Sequence, residues 1–234
     1  MLDRKLAPSR ERARALVIAG QVTVDGRTVT KAGTAVDDEA DVALIAPDHP
    51  YVGRGGLKLA HALDTFQISV ARRECLDIGA STGGFTDVML QRGAARVVAL
   101  DVGHGQLDWR LRQEARVVVL EHVNARTLTL DMLPGRVDLV TIDVSFISLA
   151  RILPVVPPVL NPGADVVALV KPQFEAGRKE VRKGIIRDAA VHARVLEEVA
   201  AVGAEVGLTR VASTSSPITG QKGNVEFLVH FRAS

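Results

Sequence analysis

Two charged residues stand where apolar runs of this sequence end, and a third lies inside one of its expected strands. Asp143 follows Val140-Thr-Ile142 in "VDLVTIDVSFIS", Lys171 ends the run in "VVALVKPQFEAG", and Glu226 sits inside "GNVEFLVHF". A charge so close to a buried strand needs a partner. Structural ion pairing is one answer. Three such groups around one cleft are better explained by chemistry. A further carboxylate, Asp77, closes the run in "CLDIGASTGGFTD", with Gly79, Gly83 and Gly84 in the expected turn and a helix starting near Phe85. Glycines there let the backbone approach a ligand closely. Asp101 ends the next run, 24 residues beyond Asp77, where an acid can accept both hydroxyls of a ribose. The set points to an adenosine-containing cofactor. The spacing departs from G-x-G-x-x-G, and a carboxylate at Asp77 would repel a pyrophosphate. It suits the amino group and sulfonium of S-adenosylmethionine, so a methyl donor is favoured over a dinucleotide.

These groups need a frame. Short continuous apolar runs at 75–78, 97–102, 117–120, 137–144 and 166–170 read as parallel strands buried on both faces. Helical stretches are expected at 84–91, 105–112, 148–160 and 188–206, and two final strands at 209–213 and 225–231. Alternation in this order predicts an α/β fold with a Rossmann-like doubly wound sheet. Ahead of it, residues 1–46 read as a small α+β module. Ser9 is its expected helix N-cap, Gly20 stops the helix, and Asp25-Gly26 joins two alternating strands in a hairpin. Residues 47–56, rich in Pro and Gly, read as a linker whose glycines allow reorientation, and the second domain spans 57–234.

Composition narrows the classes. The chain has 234 residues, 47% hydrophobic and 24% charged, which excludes a disordered chain. Aromatics at 3% argue against a base-stacking platform, and Trp109 is expected to be a packing anchor. Net charge is only +2, but cations cluster. Arg4, Lys5, Arg10, Arg12, Arg14, Arg27 and Lys31 fall in residues 1–31, and Lys171, Arg178, Lys179, Arg182, Lys183 and Arg187 in residues 171–187. Two such clusters could build one anion-binding surface. The single cysteine, Cys75, excludes an internal disulfide framework and reads as an inert core residue. The six histidines lack metal-ligand spacing, so no metal site is expected. No signal peptide and no run of about 18 apolar residues is visible, which predicts a cytoplasmic protein without a membrane partner.

Taken together, "LDIGASTGGFTD", "TIDVSFIS", "VKPQFEAG" and "GNVEFL", preceded by "RGGLKL", closely resemble the TlyA family of ribosomal RNA 2'-O-methyltransferases, also known as hemolysin A-like proteins. The catalytic domain is similar to FtsJ/RrmJ-type methyltransferases, with a mostly parallel sheet whose last strand is antiparallel. Residues 1–46 resemble the RNA-binding motif of ribosomal protein S-four, with the first helix nearly missing before "MLDRKLAPSR". The resemblance implies a catalytic tetrad at Lys58, Asp143, Lys171 and Glu226. It implies S-adenosyl-L-methionine contacts at Asp77, Gly79, Ala80, Ser81, Thr82, Gly83, Gly84 and Phe85, at Asp101 for the ribose, at Asn124 near the adenine, and at Asp143. The implied substrate is a cytidine ribose in ribosomal RNA of the large subunit, in some members of the small subunit too, free or within a ribosomal subunit. RNA phosphates would be held by Arg4, Arg10, Arg12, Arg14, Arg54, Arg178, Lys179, Arg182 and Lys183, contacts that fix position more than sequence. Lys171 would take the 2'-hydroxyl proton or, if charged, orient the oxygen. The competing readings are a cytolysin, a nicotinamide dehydrogenase and a non-catalytic ribosome-assembly factor.

Overall fold

The computed structural model describes residues 1–4, 6–7, 10–18, 20–45, 49–177, 180–181, 184–220 and 223–234, without the side chains at 11, 12 and 15. The expected N-cap Ser9, the side chain of Arg12, and Lys5, Arg178, Lys179, Arg182 and Lys183 lie outside the described residues. The chain divides into two compact units, Met1–Pro50 and Tyr51–Ser234.

The first unit holds α1 (Arg10–Ile18) and the strands β1 (Val22–Val24), β2 (Arg27–Val29) and β3 (Val42–Leu44). β1 is the centre of an antiparallel sheet in the order β2-β1-β3. The hairpin turn has positive φ at both Asp25 (49°) and Gly26 (75°), the geometry that matches strand twist in a two-residue turn. Leu16 from α1 packs on Val22 and Ala7 in a small core.

The second unit begins with α2 (Gly55–Phe66) and β4 (Glu74–Ile78), then α3 (Gly84–Gln91), β5 (Arg96–Leu100), α4 (Trp109–Gln113), β6 (Val117–Leu120) and β7 (Val137–Ile142). It ends with β8 (Leu160–Val170), α5 (Pro172–Glu175), α6 (Ala189–Glu205), β9 (Leu208–Ser215) and β10 (Phe227–Ala233). The sheet order is β6-β5-β4-β7-β8-β10-β9. β4 to β8 pair in parallel, and β10 inserts antiparallel between β8 and β9. Side chains alternate between faces along each strand. Leu76, Ile78, Val140 and Ile142 join one apolar core, while Cys75, Leu139 and Val167 join the other with Leu59, Leu63, Val88 and Met89 from α2 and α3. Burial on both faces is why these strands read as unbroken apolar runs. Cys75 is fully buried, and burial pushes its thiol up to about 12.

Several expectations change. The helix at 148–160 is instead three 3-10 turns, Leu149–Arg151, Leu153–Val155 and Pro157–Val159, because Pro154, Pro157 and Pro158 remove donors and clash with an α-helical backbone. The helix at 105–112 shrinks to α4, capped by Asp108, whose carboxylate accepts from Arg110 N. Trp109 is 65% exposed rather than a packing anchor. Residues 51–56 of the expected linker belong to the second unit. A Cβ on Gly56 would stand 2.5 Å from the Tyr51 ring, so this glycine serves close packing, not hinging.

Candidate active site

β4 and β7 are neighbours, and the chain runs from β4 outward to β5 but from β7 the opposite way to β8, which makes the crevice at their carboxyl ends a topological switch point. Gly79 begins the loop there at φ +88°, with its N–H donating to Leu100 O on β5. A Cβ on Gly79 would stand 2.4 Å from Asp143 O. Only glycine lets the loop pass this close to the end of β7. A cavity of about 1210 Å³ opens above, lined by Gly79, Ser81, Asp101, Asn124, Asp143 and Ser145 among others. A second cavity of about 210 Å³ shares Gly79, Ser81 and Asp143 with it and adds Lys58, Ala80, Thr82, Gly84, Phe85 and Glu226.

Two ion pairs meet at this junction. Lys58 Nζ, from α2, donates to Glu226 Oε2 at 2.5 Å, with both residues buried. Lys171 Nζ, at the end of β8, lies 2.5 Å from Asp143 Oδ1 and donates to Ser145 Oγ at 2.8 Å. Each ammonium is thus matched by one carboxylate from a different strand end. Such a group of charges can orient an attacking oxygen and balance charge that develops on it.

Asp101 meets the cavity with both oxygens pinned: Oδ2 accepts from Ser81 N at 2.8 Å and Oδ1 from Gly103 N at 2.7 Å. A carboxylate has further lone pairs, so it can still accept from a diol. Asn124 accepts at its Oδ1 from the Arg126 N–H at 3.1 Å, and the residue lines the larger cavity.

Family models match on both units: FtsJ-like methyltransferase over residues 51–233 and S4 domain over residues 1–42. The chain is 48% identical to the 16S/23S rRNA (cytidine-2'-O)-methyltransferase TlyA of Mycobacterium tuberculosis over 99% of its own length and 87% of that protein's. This chain belongs to the TlyA family of FtsJ-like methyltransferases. It is also 44% identical to Hemolysin A of Brachyspira hyodysenteriae, over 95% of this chain and 93% of that one. A solved structure of a hemolysin-named protein from Streptococcus thermophilus superposes with a TM-score of 0.82 at 46% identity, covering 98% of this chain and 84% of that one.

The remaining residues of the TlyA-type motifs fall in distinct places. Gly83 is buried, its Cα facing Leu107 and Leu111 rather than a cavity. Asp77 lines neither cavity. It is fully buried, accepting from Thr86 Oγ1 at 2.7 Å and Thr141 Oγ1 at 3.0 Å. Burial pushes its carboxyl up to about 7, the two threonines pull it back, and the charge of Asp143 adds to the rise. Its place is behind the glycine loop. Glu226 precedes β10 instead of lying within it, and its carbonyl accepts from Ser216 N at 2.8 Å. Arg54 is exposed at the rim of the smaller cavity. Arg10 and Arg14 are exposed in the first unit, whereas the Arg4 guanidinium donates to the carbonyls of Asp38 and Ala40.

Sequence reasoning missed Ser145, Phe146 and Glu175, although all lie inside the quoted motifs. Phe146 is 86% exposed at φ +64° and tilts against Phe174, ring centroids 5.0 Å apart. Glu175 accepts from Ser148 Oγ at 2.6 Å and from Leu149 N at 2.9 Å. Burial raises its carboxyl above the usual range against both hydrogen bonds. Among the described residues, no helix is long and apolar enough to cross a membrane, and no cluster of three or more His, Cys, Asp or Glu could hold a metal.

Proposed function

We propose that this protein is a cytoplasmic, S-adenosylmethionine-dependent methyltransferase acting on the 2'-oxygen of a cytidine in large-subunit ribosomal RNA. The observation that carries the reading is the meeting of the Lys58–Glu226 and Asp143–Lys171 pairs at the glycine loop, between two cavities that share Gly79, Ser81 and Asp143. Family membership and the M. tuberculosis relative's name support the substrate class.

The larger cavity fits the methyl donor by its own chemistry. The loop at Gly79 presents backbone without side-chain obstruction, Asp101 offers oxygens to a ribose, and Asn124 offers an amide to a purine edge. S-adenosylmethionine, when bound, supplies a methyl group on a sulfonium. The chain's own residues do the rest. Lys171 Nζ contacts the 2'-oxygen; as a neutral amine it accepts the hydroxyl proton as the oxygen attacks, and Asp143 balances the ammonium that results. Lys58 and Glu226 close the other side and keep the buried charge balanced. Alignment of the attacking oxygen is worth about 7–11 kcal/mol in well-organised sites. Arg10, Arg12, Arg14, Arg54, Arg178, Lys179, Arg182 and Lys183 contact RNA phosphates.

Single-turnover transfer of labelled methyl to purified large- and small-subunit RNA tests the reading, with ribose methylation mapped by nucleotide. Methylation of a large-subunit cytidine that drops at least about 100-fold in Lys171→Arg is the expected result. Near wild-type activity of that variant overturns the proton-accepting role. Lysis of erythrocytes without RNA methylation overturns the enzyme reading altogether.

A further inference from the structure

Lys171 is only 8% exposed and does not line the larger cavity, but the residue it hydrogen-bonds, Ser145, does. Asp143 and Ser145 treat the ammonium differently. Asp143 Oδ1 sits 2.5 Å from Nζ yet takes part in no aligned hydrogen bond. It supplies charge but not direction. Direction comes from Ser145 Oγ, which accepts from Nζ at 2.8 Å.

The serine is itself held. The segment after β7 is fastened to the segment after β8 at three successive points: Ser145 to Lys171, the Phe146 ring to the Phe174 ring, and Ser148 with Leu149 to Glu175. Between the first two, Phe146 adopts φ +64°. The contact of its exposed ring with Phe174 accompanies this left-handed conformation. The left-handed turn lets Phe146 leave the strand line while the serine before it stays against Lys171.

We infer that Ser145 is a positioning residue for Lys171: its hydroxyl fixes one donor direction of Nζ beside Asp143, so that the remaining direction meets the attacking oxygen. The inference rests on the functional reading above for its consequence, but the contact itself is testable without catalysis.

Two variants separate orientation from folding. Ser145→Ala removes the hydroxyl and Ser145→Thr keeps it. In ligand-free protein, reductive methylation of lysines by formaldehyde and borohydride, mapped by mass spectrometry, reports how tightly each amine is held, with Lys58 as internal reference. The expected result is labelling of Lys171 about 10-fold faster in Ser145→Ala and unchanged in Ser145→Thr, as a lost hydrogen bond to a charged group predicts. In steady-state methylation, Ser145→Ala lowers kcat by about 10- to 100-fold. KM for RNA stays within about twofold, because the Ser145–Lys171 contact binds no RNA phosphate, and Ser145→Thr restores most of the rate. Unchanged Lys171 labelling in Ser145→Ala overturns the inference, as does a Thr variant as slow as the Ala one. A wild-type protein that methylates no RNA overturns the functional reading instead, and the labelling still decides the Ser145 contact.

Discussion

Lys58 Nζ and Glu226 Oε2 stand 2.5 Å apart across 168 residues of sequence, with Glu226 3% exposed and Lys58 9%. Two buried charges at this distance offset each other's desolvation, and either one alone cannot be tolerated at low cost. Glu226→Ala is therefore expected to lower stability by about 3–5 kcal/mol, because it strands the Lys58 ammonium. The double variant Lys58→Met, Glu226→Leu should recover most of that loss in urea unfolding while remaining inactive in methyl transfer. A double variant as unstable as the single one would show that the pair's stability comes from packing and not from charge.

Asp77 makes a pH prediction of one sign. Its folded value near 7 lies above the ordinary carboxylate value, so its contribution to stability is full at low pH and is lost as pH rises through about 7. The amount is on the order of 4 kcal/mol. Asp77→Asn keeps partners for Thr86 and Thr141 but does not titrate. Thermal unfolding of wild type should therefore fall progressively below that of the variant between about pH 4 and pH 8. Parallel curves for the two proteins across that range would refute the burial argument.

Asp165 makes the opposite prediction at the far end of the sheet. Burial alone would raise its carboxyl, yet hydrogen bonds from His230 (2.8 Å), Arg73 (2.6 Å) and Arg232 (3.1 Å) hold it well below the usual range. Its stabilising contribution is present above the ordinary carboxylate value and is lost as pH falls below about 4. Asp165→Asn should cost about 3–5 kcal/mol near neutral pH, and the gap to wild type should close on acidification. Circular dichroism melts at pH 3 and pH 7 measure it.

The exposed arginines of α1 differ in kind from Arg4. If Arg10 and Arg14 each neutralise one RNA phosphate, replacing either by Gln should reduce the slope of log K against log salt by about 0.7–0.9 and leave folding unchanged. Arg4→Gln, which loses the contacts to the Asp38 and Ala40 carbonyls, should instead lower the thermal stability of the first unit. Filter binding over a salt series distinguishes them. A slope unchanged by either α1 variant would remove that helix from the interface.

The division of labour between sequence and structure follows the range of the forces. Apolar runs at 75–78 and 137–144, the Asp25-Gly26 turn and the glycine loop after Asp77 were legible because each rests on local periodicity or local backbone geometry. The prolines at 154, 157 and 158 are an equally local signal, and their missing donors make the stretch a run of 3-10 turns in place of an α-helix. Asp143 and Lys171 stood out as charges at strand ends and Glu226 as a charge within an expected strand, which are local signals. What they touch is not local. The pairing of Lys58 with Glu226, the shelter of Asp77 behind Thr86 and Thr141, and the alignment of Lys171 by Ser145 join residues from 9 to 168 positions apart. Sequence by itself determined which strands form and that charges end them, since burial pattern is written residue by residue. Only the tertiary structure decided which charge is paired, which is hidden and which faces a cavity, because hydrogen-bond partners and desolvation depend on segments brought together by the sheet.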